Sequence, residues 1–439
     1  MKVLLLAAGR SQRMQPIPDK NFLIFLGKPL IVHQIESLIK AGFNDFVVIG
    51  GAHNLDKLSK LQAQFDFGDS KISVIEQKKL DEGMAGAVIS CEDILDDDPI
   101  CIVSSNDIVD ETAYELVINE ALNEEVDSVI VGKKVEKYFP GGYLEIDENG
   151  FIKSIIEKPG EGKEPSDLVN IVVHCHKNPK KLIEELKKVS SGRDDRYEAT
   201  LDSLIKGGAK MKAAQFEGYW QPIKYPWHIF KVMKYFFENL ETSISKEAQI
   251  ADSAVIKGKV IIEAGARIFE HATISGPCYI GKDVIVANSS LVRDSIVNEG
   301  CVIGFATEVA RSYLGKSVWT HTNYIGDSII SNNCSFGSGT VTGNLRLDEK
   351  EIPVNVNGEK MSSETNKFGL ITGENIRAGI NTSFMPGIKI GSNCMIGAGL
   401  VIPYDIEDNK FVKGRIELEV RENTAILDEN SRGEMKGKI

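Results

Sequence analysis

Residues Gln249-Ile250-Ala251-Asp252-Ser253-Ala254-Val255-Ile256-Lys257-Gly258-Lys259-Val260-Ile261-Ile262 begin a stretch in which an aliphatic residue returns every six positions. It recurs at Ile268, Ile274, Ile280, Val286 and Val292, which makes eight consecutive hits from Ile250. The register then slips by one and resumes at Ile303 and Val309. It returns at Ile330 and Phe336, and finally at Phe384, Ile390, Ile396 and Ile402. A half-buried strand shows a period of two and a helix one near 3.6. A period of six is the mark of a hexapeptide β-helix, in which each flat face of a triangular coil turns one aliphatic side chain inward. Cys278, Cys301, Cys334 and Cys394 each stand two places before such a residue. That is the place of a small packing residue, so these thiols are expected to be buried rather than reactive. The period assigns residues 246–414 to the β-helix.

Toward the N-terminus the pattern changes. Val3–Ala7, Asp45–Ile49, Ile72–Ile75, Pro99–Ser104 and Ser128–Val131 read as strands, with helices at Leu30–Ala41, Gly86–Ile94 and Thr112–Leu122 between them. This alternation predicts an α/β domain over residues 1–225 whose sheet is mixed but mainly parallel. Ligands of such sheets bind beyond the carboxyl ends of the strands. Gly9, Gln77 and Asp107 each follow a predicted strand and are expected to converge there. Pro226–Leu240, rich in Trp, Phe and Tyr, predicts an amphipathic helix packed across the junction, within a helical linker at 226–245. One excursion, Thr342–Thr372, breaks the six-residue period and carries the charged run Arg346-Leu347-Asp348-Glu349-Lys350-Glu351. Such loops are solvated or build sites. Residues 415–439 read as a polar tail.

The 439 residues exceed one ordinary core, and 42% hydrophobic with 26% charged residues fits a soluble globular protein. A net charge of -12 argues against general affinity for nucleic acid, though it leaves room for a small basic pocket. No run of apolar residues reaches membrane-spanning length, so no membrane association is expected. The opening Met1–Gly9 is a short apolar run that leads into Arg10-Ser11-Gln12-Arg13, a buried first strand rather than a signal peptide. Seven cysteines without a Cys-x-x-Cys pair suggest neither zinc nor a redox dithiol and fit a reducing cytoplasm.

The first chemical constellation is Leu6-Ala7-Ala8-Gly9-Arg10-Ser11-Gln12-Arg13-Met14, followed by Lys20 and by Gly27-Lys28-Pro29-Leu30. Backbone amides of a loop of small residues can cradle phosphates. Arg13 and Lys20 can neutralise a triphosphate and the charge that develops at a reacting phosphorus. Read alone, the loop fits an ordinary strand-to-helix turn with two surface cations equally well.

With these motifs the chain resembles the sugar-1-phosphate nucleotidylyltransferase family that carries a C-terminal left-handed parallel β-helix. The family pattern is a Gly-rich loop ending in Thr-Arg-Met, then Pro-Lys, then Gly-Lys-Pro-Leu. Here Ser11 stands for the second glycine, Gln12 for the threonine and Asp19 for the proline. The resemblance implies a Rossmann-like nucleotidyltransferase domain in which Ala7, Ala8 and Gly9 bind the nucleotide. It implies that Gln77 and Gly83, in Glu76-Gln77 and Gly83-Met84-Ala85-Gly86-Ala87, read the edge of uracil or thymine. Asp107 matches a Mg²⁺ ligand, and Gly142, Glu157 and Asn170 match residues that hold sugar hydroxyls. Lys158 matches one that meets the sugar phosphate. The bland alternatives are a surface glutamine, a helix cap, a turn glycine and a solvated ion pair. In Trp220-Gln221-Pro222-Ile223-Lys224-Tyr225-Pro226-Trp227 the place of the family's second metal aspartate is held by Pro222, which cannot bind metal. Either Asp107 and the phosphates hold the ion alone, Gln221 lends its carbonyl oxygen, or the domain is weakened.

Thr320-His321-Thr322-Asn323-Tyr324-Ile325-Gly326-Asp327-Ser328 and Gly337-Ser338-Gly339-Thr340-Val341-Thr342-Gly343-Asn344 resemble the acetyltransferase half of bifunctional members that acetylate glucosamine-1-phosphate and then uridylylate it, the archaeal branch most closely. The resemblance gives His321 the role of general base toward acetyl-CoA, and Tyr324, Asn344 and Lys350 that of holding the acceptor. Ala310-Arg311 replaces a Lys-Asn that binds the acceptor phosphate, so Arg311 is the candidate there, and Pro353 replaces a lysine of some relatives. The expected function is transfer of a nucleotidyl group from UTP or dTTP to a sugar-1-phosphate such as N-acetylglucosamine-1-phosphate. Acetyl transfer in the β-helix would precede it, in a homotrimer. The alternatives are a single-function nucleotidylyltransferase whose β-helix oligomerises or regulates it, and a non-catalytic subunit.

Overall fold

A computed structural model describes residues 1–191, 195–415, 417–424 and 435–437. Most of the tail expected at 415–439 lies outside the described residues. The first strand, β1 (Lys2–Leu6), has Val3, Leu4 and Leu5 fully buried, the mark of a strand covered on both faces. It lies at the centre of a sheet with β2 (Asp45–Gly50), β3 (Lys71–Glu76) and β4 (Ile100–Ser104), all parallel. The chain continues through a short strand β5 (Asp107–Val109), then β6 (Ser128–Lys134), β7 (Gly142–Ile146), β8 (Ile152–Glu157), β9 (Leu168–His176), β10 (Met211–Gln215) and the short β11 (Trp220–Pro222). The nine-stranded order is β8-β7-β9-β4-β1-β2-β3, with β6 beside β9 and β10 beside β6. β9 runs antiparallel to β4, β6 and β7, so the sheet is mixed. Helices α1 (Leu30–Lys40), α2 (Gly83–Ile89), α3 (Thr112–Ala121), α4 (Pro179–Lys188) and α5 (Arg196–Lys206) flank it, and two apolar clusters fill its faces. The helix expected at Gly86–Ile94 starts earlier and stops at Ile89. There the Ser90 hydroxyl donates back to the Gly86 carbonyl at 2.7 Å, and a separate 3₁₀ turn covers Glu92–Ile94.

The C-terminal half is the left-handed hexapeptide β-helix. Its three faces are parallel ladders, two of eight strands and a third in two runs of four joined by single bridges through Trp319. The inward residues from Ile262 to Val292, and again from Ile303 to Ile402, form one continuous buried core that includes Cys278, Cys301, Cys334 and Cys394. Early coils are eighteen residues long, since Ile250 pairs with Ile268 and Ile274 with Val292. Later coils shrink, with Val292 on Val309 and Val309 on Ile325. The slip falls at one corner of the triangle. Asp294, Arg311 and Asp327 there adopt φ of 49°, 47° and 46°, and each is followed by a buried serine. The Ser295 hydroxyl accepts from the Ser312 amide at 3.0 Å, and that of Ser312 accepts from the Ser328 amide at 3.0 Å. At this corner one residue is dropped in each coil, and a serine ladder satisfies the backbone that is left.

Between the halves lies α6 (His228–Glu238). Its buried face shares one apolar cluster with Met14, Ile17, Tyr313 and the excursion residues Val354 and Phe368. No described helix is long and apolar enough to cross a membrane.

Candidate active sites

The loop after β1 is braced before it can bind anything. The Ala7 amide donates to Ile49 O at 2.8 Å, and its carbonyl accepts from Asn21 Nδ2 at 3.1 Å and Asn54 Nδ2 at 2.9 Å. Both backbone groups of Ala7 are thus committed, while the loop from Ala8 through Met14 lines the larger cavity, and Ala8 and Gly9 line the adjoining one as well. Ser11 adopts φ of 52°, the left-handed conformation in which a glycine is at ease. That is the family residue it replaces. Asp19 holds the loop from the other side, accepting from the Asn21 amide at 2.9 Å and from Asn54 Nδ2 at 2.9 Å.

A cavity of about 910 Å³ opens beyond this loop, with Arg13, Lys20, Lys158 and Lys224 in its lining. An adjoining cavity of about 470 Å³ shares Ala8, Gly9, Gln77, Gly83 and Lys158 and adds Glu157. Within a chain of net charge -12 this concentration of cations is suited to an anionic ligand. The Arg13 guanidinium has no hydrogen bond or ion pair among the described residues and lies 5.7 Å from the Tyr225 ring centre. Lys20 Nζ donates to Ile223 O at 2.9 Å, and desolvation, reinforced by Arg13 and opposed by Asp107, lowers its pKa to about 8.

Lys224 was not singled out by sequence reasoning. Its Nζ donates to Pro140 O at 2.9 Å and sits 3.8 Å over the Phe139 ring. Desolvation lowers its pKa to about 8; Asp107 and Glu157 oppose the shift, while Arg13 and Lys158 add to it. The available signal was its place two residues after Pro222, where an expected acid is missing and a new cation follows.

Asp107 opens β5, and the β5–β11 ladder sets Pro222 directly opposite it. Trp220 Nε1 donates to Asp107 Oδ2 at 3.1 Å and Ser104 Oγ to Oδ1 at 3.3 Å. Gln221 spends its amide on Pro222 O at 2.8 Å. Among the described residues no cluster of three His, Cys, Asp or Glu could hold a metal.

Gln77 is buried, and its Nε2 donates to Lys79 O at 3.0 Å and to Gly83 O at 2.8 Å. Its Oε1 remains as the uncommitted acceptor, the group that an imide N–H of a pyrimidine base requires. Gly142 faces Glu157 across the β7–β8 hairpin. A Cβ on Gly142 would lie 3.1 Å from Glu157 Oε2 and 3.5 Å from Asn170 Nδ2, so the three converge closely. Lys158 turns at φ of 46° and brings its Nζ to 3.0 Å from Glu157 Oε1.

Behind Asn170 lies a buried relay. His174 Nε2 meets Asn170 Oδ1 at 2.6 Å, and His174 Nδ1 meets the Tyr197 hydroxyl at 2.9 Å. His176 Nε2 meets the same hydroxyl at 2.9 Å, and His176 Nδ1 meets Ser128 Oγ at 2.8 Å. Burial lowers the pKa of His174 to about 3, aided by His176, and that of His176 to about 4, so both rings are neutral at pH 7. Neutrality fixes every proton. Asn170 Oδ1 can only accept, so His174 carries its proton on Nε2. Its Nδ1 then accepts from Tyr197, whose oxygen accepts from His176 Nε2–H, and Ser128 donates to His176 Nδ1. The relay points Asn170 Nδ2 toward Gly142 and Glu157. The pair His174-x-His176 on one strand face was visible in the sequence; Tyr197, on α5, was not.

In the β-helix, Arg311 binds Asp327 through two bonds of 2.6 and 2.7 Å. Asn344 Nδ2 donates to the Tyr324 hydroxyl at 3.0 Å and also to Asp327 Oδ2. Arg311, Tyr324, Asp327 and Asn344 thus form one cluster, in which the Tyr324 ring folds over Gly326. His321 and Lys350 are exposed, and the His321 ring has no hydrogen-bond partner among the described residues.

Residues 2–226 match the family model described as nucleotidyl transferase. The chain belongs to the nucleotidyl transferase family. Similarity extends beyond that domain. The bifunctional protein GlmU of Methanocaldococcus jannaschii is 34% identical over 425 residues, covering 95% of this chain and 98% of its own length. A bifunctional sugar-1-phosphate nucleotidylyltransferase/acetyltransferase of Sulfurisphaera tokodaii is 35% identical over 419 residues, 94% of this chain and all of its own. Among solved structures, apo UDP-glucose pyrophosphorylase aligns with 54% of this nucleotidyl transferase and 98% of its own chain, at 20% identity and a TM-score of 0.47.

Proposed function

We propose that the chain transfers a nucleotidyl group from UTP, or dTTP, to a sugar-1-phosphate such as N-acetylglucosamine-1-phosphate. The observation that carries this is the convergence of Arg13, Lys20, Lys158 and Lys224 on one cavity beside Asp107 and the Gly142–Glu157–Asn170 cluster. A phosphate oxygen of the sugar attacks the α-phosphorus; the new O–P bond forms as the bond to the β-phosphate oxygen breaks, and pyrophosphate leaves. The nucleophile is already anionic, so the site needs no general base. Its task is to hold two anions together and stabilise the charge of the transition state. Ala8 and Gly9 face the nucleotide, Gln77 and Gly83 its base, and Gly142, Glu157 and Asn170 the sugar. Lys158 and Lys224 lie between the two substrates. Mg²⁺ is commonly held by one or two carboxylates with phosphates and waters. Asp107 without a second acid fits an ion that arrives with the nucleotide and would offset phosphate charge.

In the β-helix the reading is acetyl transfer. The amine of an amino-sugar-1-phosphate attacks the thioester of acetyl-CoA, His321 takes the amine proton, and coenzyme A leaves. Arg311, Tyr324, Asn344 and Lys350 hold the acceptor. The exposed His321, with exposed Phe305, Trp319, Ile380 and Val401 on the same solenoid, fits a homotrimer in which a neighbouring subunit encloses the site.

The test is a screen of purified protein for pyrophosphate release with four nucleotides and several sugar-1-phosphates, run beside an assay for coenzyme A release with amino-sugar-1-phosphates. No pyrophosphate release with any pair would refute the first reading. No coenzyme A release would leave the β-helix as an oligomerising or regulatory element.

A further inference from the structure

The excursion Thr342–Thr372 does not stay beside the β-helix. Its arms, Pro353–Val356 and Glu359–Ser362, form an antiparallel hairpin in which Val356 faces Glu359. Alternation sets its faces, with Ile352, Val354 and Val356 buried and Pro353 and Asn355 partly exposed. The buried face, with Phe368, belongs to the cluster that holds Met14, Ile17 and Trp227. That cluster also takes in α6 and the β-helix residues Tyr279, Ile296, Tyr313 and Ile329, so the hairpin is packed into the junction of the two halves, where full burial of one such side chain contributes about 1.5–3 kcal/mol. Lys231 and Glu364 add an ion pair at 2.7 Å.

The hairpin ends in Asn357-Gly358, at φ of 52° and 91°. Asn357 lines the 910 Å³ cavity, and every other residue of that lining falls between Ala8 and Lys224. Its carboxamide has no hydrogen-bond partner among the described residues. Met14, which shares the apolar cluster with Val354 and Val356, is the neighbour of Arg13, whose guanidinium is likewise without a hydrogen bond. Asn357 shares the cavity lining with Arg13 and Lys20, whereas the sugar residues Gly142, Glu157 and Asn170 are not part of that lining.

We infer that the β-helix domain supplies a nucleotide-binding residue to the first domain. Asn357 donates its amide to the terminal phosphates of the nucleoside triphosphate, and to pyrophosphate as it leaves. The inference rests on the nucleotidyl-transfer reading of the cavity. The opposing account is that Asn357 serves only the turn, since Asn-Gly is the favoured pair of a two-residue hairpin.

Two variants separate these accounts because both keep the turn. Asn357→Gly tolerates the positive φ and removes the donor. Asn357→Asp also suits the turn and sets a carboxylate against the phosphates. A hydrogen bond to a charged group corresponds to about tenfold or more in affinity. Asn357→Gly should raise KM for the nucleotide, and for pyrophosphate in the reverse reaction, about tenfold, and Asn357→Asp should raise both further. KM for the sugar-1-phosphate and the rate of acetyl transfer should stay within about twofold. Unchanged nucleotide and pyrophosphate constants in both variants would reduce Asn357 to a turn residue. A rise confined to the sugar-1-phosphate would also overturn the assignment. Should the wild type show no nucleotidyl transfer, the reading of the cavity falls first. Calorimetry with inorganic pyrophosphate would then still decide whether Asn357 contributes to an anion site.

Discussion

Replacing Tyr197 by Phe removes one oxygen from the interior and leaves its ring in place. That oxygen joins His174 Nδ1 and His176 Nε2, each at 2.9 Å, and both imidazoles are buried. The variant orphans one acceptor and one donor. A buried polar group without a partner costs about 1–3 kcal/mol, so Tyr197→Phe should destabilise the first domain by about 2–6 kcal/mol. Denaturant unfolding should show this as a lower midpoint with an unchanged slope. A second readout separates positioning from bulk stability. Without Tyr197 the His174 ring loses the partner on Nδ1 that holds it against Asn170, so the bond that orients Asn170 is weakened. KM for the sugar-1-phosphate should therefore rise while KM for the nucleotide stays put. A loss of stability below about 1 kcal/mol would show that the hydroxyl is not the shared link, and equal changes in both Michaelis constants would refute its action through Asn170.

The remaining expectations concern charge. His174 and His176 are neutral in the fold down to about pH 3 and about pH 4, whereas in the unfolded chain they bind protons near pH 6.5. Stability should therefore fall as pH drops from about 6.5 toward 4, by about 1.4 kcal/mol per unit for each ring, and a flat unfolding profile across that range would contradict their burial as neutral groups. Lys20 and Lys224 titrate near pH 8 in the free site, so kcat/KM for the nucleotide should decline above that pH. Lys224→Met should lower kcat/KM about tenfold or more by deleting a charged donor, and wild-type kinetics in that variant would remove Lys224 from the site. His321→Ala should slow acetyl transfer by about 10²–10⁴-fold and leave nucleotidyl transfer from the ready-made N-acetylated sugar phosphate intact; loss of both reactions and of the oligomer would make His321 a packing residue.

The β-helix was legible because its energetics are local and repeated. Every coil must bury one aliphatic residue per face against its neighbours, so the demand returns at a fixed interval. The slip after Val292 was legible as an event but not as a cause, since the Ser295–Ser312–Ser328 ladder joins residues a whole coil apart. In the first domain the motifs at strand ends were readable because residue type and backbone place coincide there. Ser11 and Asp19 looked like defects in the pattern. Their coordinates show one taking the left-handed turn and the other bracing Asn21 and Asn54. Lys224 and Tyr197 escaped because their partners are set by tertiary packing. The neighbours of Lys224 include Asp107 and Glu157, and Tyr197 reaches a strand that ended 21 residues earlier.

The excursion shows most clearly where reading in chain order stops. Along the sequence it interrupts the solenoid; in space it joins the core at the junction of the two halves. Ile352, Val354, Val356 and Phe368 are buried with Met14, Ile17 and Trp227. The solenoid core itself contains none of these excursion residues. At its base the same segment carries Asn344, bonded to Tyr324 and Asp327, and Phe368 returns a backbone bond to Asn344 at 3.0 Å. One stretch of chain is therefore fixed at both ends, by a polar cluster on the solenoid and by an apolar cluster at the junction of the two halves. Moving either half relative to the other would open this shared cluster, in which all four side chains are buried. The two candidate sites are thus held in a fixed relation by the excursion as well as by the helical linker, which is all that chain order would suggest.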